Sequence, residues 1–208
     1  MLQKKSLQIE SEIDTYGNDP HDIQFIDDDR VVIANGGSGT NISIVDLTTG
    51  NLERSYPCEL EGISCRHLIV SKDEIFVLSM VSVPNSRYLS HLLYPVDGKL
   101  VPFGNTFFAE DRLKTQLLSG VSTDDHIITT APLMNAIHVW DKKSKQLIRV
   151  DDFELAAGVA LTLDKSKYIV TSAFENEGME YDASNTKLLT TNPGLRKLTG
   201  RHTLLAAI

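Results

Sequence analysis

Cysteine is nearly absent: Cys58 and Cys65 are the only two in 208 residues. That excludes a disulfide framework, and no zinc-type ligand spacing is present. The pair reads as two semi-buried thiols, and whether they bridge is a matter of geometry. Long apolar runs are missing too. None approaches the ~20 residues that cross a bilayer, so no membrane span is expected. The start, Ser6-Leu7-Gln8-Ile9-Glu10-Ser11-Glu12 after Met1 to Lys5, alternates and carries acids, unlike the apolar segment of a secretory signal. As written, the chain is expected to be cytoplasmic; as a piece of a longer exported parent it would be periplasmic. Basic residues are outnumbered, 20 against 28 acidic, for a net charge of −8. This argues against nucleic acid as a partner and is accounted for by solubility. The nucleophile elbow Gly-x-Ser-x-Gly and the zinc-protease motif His-Glu-x-x-His are both missing. Asp27-Asp28-Asp29 and Asp151-Asp152 do not fit the twelve-residue calcium loop.

What is present is a repeat. A short apolar strand ending in aspartate and a polar turn recurs at Ile42 to Gly50, Leu92 to Gly98, Ile137 to Ser144 and Gly178 to Ser184. The aspartates Asp46, Asp97, Asp141 and Asp182 stand 51, 44 and 41 residues apart. A period of roughly 40–50 residues with several strands per unit is the signature of β-propeller blades. With 41% hydrophobic residues, the chain can bury a core.

Strand signals are dense. Ile23 to Ile26, the turn Asp27-Asp28-Asp29, Arg30 to Ala34, Ile42 to Leu47 and Leu52 to Tyr56 form one four-stranded unit. The same order restarts at His67, Gln116 and Val159, each time with a polar turn rich in Asp or Ser before the second strand. The expectation is an all-β propeller of four complete blades in one domain, residues 1–208. The blades span about 21–58, 64–107, 115–152 and 157–192, with lone terminal strands at 6–14 and 200–208. Such an array closes as a small ring, pairs with a second copy, or is part of a longer propeller. Open strand edges favour closure or a homodimer. Phe108 to Leu118 is the one helical candidate.

In a propeller the start of each innermost strand faces the channel. There the chain places His21-Asp22, Arg66-His67, Gly120-Val121, Gly158-Val159 and Arg201-His202. His21 and His67 are one unit apart, so the repeat brings His21, His67 and His202 toward one axis. Converging histidines suit a metal or a proton relay. Arg66 and Arg201 suit a carboxylate or phosphate and would repel a metal cation. The competing structural role is to tie neighbouring blades by hydrogen bonds to backbone. Asn35-Gly36-Gly37 lets a backbone approach closely, but lacks the lysine and helix of a phosphate loop. Asp46, Asp141 and Asp182 read as turn caps, and Trp140 as an anchor between blades. His91, His126 and His138 have no partner that the sequence names.

The words Pro20-His21-Asp22-Ile23, Val32 to Gly37, Ser64-Cys65-Arg66-His67-Leu68, Val139-Trp140-Asp141 and Gly158-Val159-Ala160 together resemble a bacterial family known only as a domain of unknown function. The resemblance runs from about Ile9 to Ile208. It implies a seven-bladed propeller, usually exported through a twin-arginine signal and often encoded beside periplasmic iron-uptake components. Against that family, several early blades and the export signal are expected to be missing. A long polar insertion after Gly37 shrinks to Ser38-Gly39-Thr40-Asn41. The family brings no established activity.

The residues name neither a cofactor nor a reaction. They favour a binding or interaction scaffold, with a ligand or protein-partner surface at a channel mouth made of His21, Asp22, Asn35, Arg66, His67, Arg201 and His202. The alternative is a metal-binding, hydrolytic or redox-associated periplasmic protein linked to iron uptake. Against that alternative, the mouth offers few carboxylates.

Overall fold

The turns set the architecture. Asp46 Oδ1 accepts the Thr49 amide at 2.7 Å, Asp141 Oδ1 the Ser144 amide at 2.6 Å, and Asp182 Oδ1 the Ser184 amide at 2.8 Å. Four residues after each aspartate the chain turns left-handed, at Gly50, Lys145 and Thr186 (φ 71°, 55° and 57°). The second repeat uses another solution. Asp97 and Gly98 have φ of 48° and 83°, which suits a two-residue hairpin whose twist matches the strands it joins.

The structure, a computed structural model, describes residues 12–72, 74–81, 90–104, 116–173 and 178–192. Sixteen strands form four antiparallel sheets of four, each in simple sequence order. The first sheet holds β1 Pro20–Phe25, β2 Arg30–Asn35, β3 Asn41–Asp46 and β4 Leu52–Pro57. The second holds β5 Ile63–Ser71, β6 Glu74–Val81, β7 Leu92–Val96 and β8 Lys99–Pro102. The third holds β9 Ser119–Ser122, β10 His126–Ala131, β11 Ala136–Asp141 and β12 Gln146–Asp152. The fourth holds β13 Ala156–Leu161, β14 Lys167–Ser172, β15 Gly178–Asp182 and β16 Leu188–Asn192.

The sheets are arranged like propeller blades. Their innermost strands neighbour one another in series, β1 with β5, β5 with β9 and β9 with β13. Among the described residues β13 makes no comparable contact with β1, so the described strands leave these two edges apart. Apolar cores fill the seams between sheets. Val32, Ile42, Cys65 and Val77 belong to the first seam. Ile69, Phe76, Leu117 and Trp140 belong to the second, and Ile137, Phe153, Tyr168 and Tyr181 to the third. Trp140 is fully buried, with its indole N–H donating to Thr129 Oγ1 at 3.1 Å. It packs with Ile69, Phe76 and Leu78 of the second sheet, and so anchors two blades as expected. Tyr168 and Tyr181 stack with centroids 4.8 Å apart.

The outer face of the first sheet is covered by an irregular stretch before β1, where Ile13 and Tyr16 pack on Val31, Ile33 and Val45. Residues 12–14 of the expected first terminal strand carry no strand. The rest of that segment, and 200–208, lie outside the described residues. Of the helical candidate, Gln116 forms an isolated bridge to Met80 and the next two residues are irregular; 108–115 lie outside the described residues. No described helix is long and apolar enough to cross a membrane.

The capping carboxylates link the turns to pH. Hydrogen bonds from Thr49, Ser144 and Ser184 hold Asp46, Asp141 and Asp182 below the usual carboxylate range. The Thr162 hydroxyl and then the Ser166 amide bring Asp164 down to about 2. A depressed folded pKa contributes stability that is present above the unfolded value of ~4 and lost as pH falls through the folded one. The thermal midpoint should therefore fall steadily below pH ~4. Asp164→Ala should lower it at neutral pH and flatten its acid limb, as differential scanning calorimetry would show.

Candidate functional site

The inner strands carry β-bulges at one repeated place. Pairing slips between Pro20 and Asp22, between Cys65 and His67, and between Ala156 and Gly158. The extra residues are His21, Arg66 and Ala157. A bulge leaves its residue out of the ladder and re-aims its side chain. His21 and Arg66 are therefore structural equivalents, and their side chains meet. Arg66 Nη1 lies 3.0 Å from His21 Nδ1 and also contacts Nε2. His21 Nε2 is 3.0 Å from Asp19 Oδ2.

One register position on every inner strand, just after the bulge in the three strands that have one, has another task. Asp22, His67, Ser119 and Gly158 each stand opposite the fifth residue of the neighbouring second strand. From that position Asp22 Oδ2 accepts the Leu68 amide of the next sheet at 2.8 Å. Ser119 Oγ likewise accepts the Val159 amide at 3.2 Å. Leu68 and Val159 are themselves equivalent, each opposite the fourth residue of its partner strand. Asp22 thus fills the blade-tying role. His67 shares the register of Asp22, not of His21, so the one-unit histidine match joins positions of different kind. Burial first, and then the charges of His21 and Arg66, push the His67 imidazole below its ordinary pKa against the pull of Asp22.

His21, Asp22, Arg66 and His67 therefore do come together at the first seam. Arg201 and His202 lie outside the described residues. Asn35 needs correction as a surface residue. It is fully buried, and its Nδ2 donates to the Thr15 carbonyl and to Ser43 Oγ, both at 3.1 Å. It braces the stretch before β1 and does not line the mouth. Gly36 approaches protein, not ligand. A Cβ there would lie 2.6 Å from the His21 ring and from Ser64 Oγ, and 2.8 Å from the Cys65 carbonyl. Ser64 seals the approach by donating to the Gly36 carbonyl at 2.8 Å. Asp19 and Ser64 were not evident from the repeat. Asp19 could have been found from its two-residue spacing to His21.

The electrostatics of the cluster centre on Arg66. Among the described residues it pairs with no carboxylate, and its Nε is buried without a hydrogen-bond partner. A cleft of about 380 Å³ lies elsewhere, between Tyr94 and Phe103 of the second sheet and the Lys142 to Lys145 turn of the third. Its cations are occupied. Lys142 pairs with Glu74, and Lys145 donates to Tyr94 Oη at 2.7 Å. Among the described residues no three His, Cys, Asp or Glu side chains group to hold a metal ion.

Four four-stranded sheets in propeller array, with an arginine and a histidine meeting where two inner strands bulge, define a propeller-type protein. The chain belongs to the family described as protein of unknown function (DUF1513), whose model matches residues 2–196. Comparison with curated proteins finds no match.

The tie at the first seam has a direct consequence. Asp22→Ala leaves the Leu68 amide without its acceptor and should cost about 1–3 kcal/mol. Denaturant unfolding measures this, and the Leu68 amide should exchange faster in the variant.

Proposed function

We propose that the protein is a binding scaffold whose ligand surface is the mouth at the first seam, and that it takes a small carboxylate- or phosphate-type anion there. The observation that carries this reading is Arg66. A guanidinium is charged at any working pH and expensive to leave unpaired when half-buried. Here its backbone is fixed in a bulge, its head group rests against His21, and no described carboxylate pairs with it directly, in a chain whose net charge is −8. Such a group is pre-organised for a planar anion. His67 and His21 stand beside it as further donors. The metal-binding, iron-linked alternative draws no support from the described side chains.

Calorimetric titration with sodium succinate and with sodium sulfate tests the reading. Saturable binding at one site per chain is expected, weakening with added salt and strengthening as pH falls below ~6.5, because burial holds the His67 imidazole below its ordinary value. Arg66→Gln should weaken it about tenfold or more. An unchanged affinity in Arg66→Gln, or no binding by the wild type, contradicts the reading.

The two ends of the array belong to the same proposal. Ile23 and Phe25 of β1 are 57% and 68% exposed, and Leu163 at the end of the fourth sheet's first hairpin is 73% exposed. We assign these ends to a second copy of the chain, each first sheet packing against the partner's fourth. Light scattering should give a dimer, and Phe25→Lys should give a monomer. A wild type that is monomeric at every concentration overturns this part.

A further inference from the structure

The two cysteines lie against one residue. Cys58 follows β4 and is partly exposed, whereas Cys65 is fully buried on β5. The Cys58 amide donates to the Thr40 carbonyl at 2.9 Å, and the Cys65 amide to Thr40 Oγ1 at 3.0 Å. Thr40 is itself anchored, its hydroxyl donating to the Asn35 carbonyl at 2.7 Å. The Cys58 backbone is also bridged to Leu100 of the second sheet. Cys65 sits in the apolar core of the first seam with Cys58 packed against that core, and neither is in a disulfide.

We propose that Cys58 and Cys65 are a reversible oxidation site, closing to an intramolecular disulfide by exchange with a small-molecule disulfide. Both backbones are already held on Thr40, which keeps the two cysteines against one residue at the first seam. The roles are unequal. Cys58 is the accessible thiol. The Cys65 S–H donates to it and, with the Leu60 amide, brings Cys58 down to about 7 against burial and the nearby Glu59 charge. Glu59 is ion-paired with Lys99 at 2.9 Å. Cys65 is the buried resolving thiol, its pKa pushed up as donor to Cys58 and by burial.

The exchange balances. The Cys58 thiolate attacks one sulfur of the external disulfide, forming a mixed disulfide and expelling one thiolate. Cys65 gives up its proton to solvent, and its sulfur attacks Cys58 Sγ, expelling the second thiolate. Two protein thiols are oxidised, and one external disulfide is reduced to two thiols. The new bond ties the end of the first sheet to the strand whose next residue is Arg66, so it would pin that bulge. The inference is independent of whether the mouth binds an anion.

Intact-mass analysis after incubation of the full chain with oxidised glutathione tests it. The expected product is the chain less two hydrogens, with no retained glutathione, no alkylatable thiol, and reversal by dithiothreitol. Before oxidation, alkylation of Cys58 should be half-maximal near pH 7. Cys65→Ser should instead accumulate one glutathione on Cys58, and Cys58→Ser should give neither product. A wild type that keeps two free thiols, or that stops at a stable glutathione adduct while still folded by circular dichroism, overturns the proposal. That wild-type result decides the matter even if the Cys65 variant does not fold.

Discussion

Each innermost strand has a sheet partner on one side only. Its other edge carries backbone N–H groups that burial leaves without water, and those groups need an acceptor. At the first and third seams the acceptor is a side chain on the preceding sheet, at one fixed register position. Asp22 answers Leu68, and Ser119 answers Val159. The rest follows from that tie. It holds neighbouring sheets close enough for their facing side chains to form a common core. It also demands small residues where backbones crowd, as at Gly36 and at Gly120, where a Cβ would lie 2.4 Å from Ile69 Cδ1.

The same constraint makes the candidate site. In three of the four inner strands the residue just before that register position is left out of the ladder as a bulge. In the first two sheets that residue is His21 or Arg66, and the seam sets them side by side. In the fourth it is Ala157, which offers only its carbonyl, to Thr130 Oγ1 at 2.6 Å. One backbone device thus serves packing in one sheet and presents an imidazole and a guanidinium in two others. The chemistry of the site is decided by residue identity at a position that the fold supplies in any case.

Much of this was legible in the chain. The four-fold strand-and-turn pattern, the capping role of Asp46, Asp141 and Asp182, and the anchoring role of Trp140 all follow from local spacing, because hairpin turns and period-two burial are short-range properties. The meeting of the first two inner strands was also legible from the repeat. Its detail was not. Counting 46 residues from His21 to His67 matches residue types but not register, because the two bulged strands correspond at 45 residues, which equates His21 with Arg66 and Asp22 with His67. Asn35 looked like a loop residue near the mouth. It is buried because the irregular stretch before β1 folds over the first sheet and needs a donor for the Thr15 carbonyl. That is a tertiary demand with no local signal. The closeness of Cys58 to Cys65 is of the same kind, since it depends on Thr40 reaching both.

The central claim is that Arg66, fixed by its bulge and left without a carboxylate, is a receptor for an anion. The Arg66 side-chain Nε–H signal in a nitrogen-15 spectrum reports on it directly. Saturable movement of that signal on adding succinate, with the remaining arginine signals unmoved, is the predicted result. An Arg66 signal that stays in place while succinate is raised well past physiological levels would contradict the account.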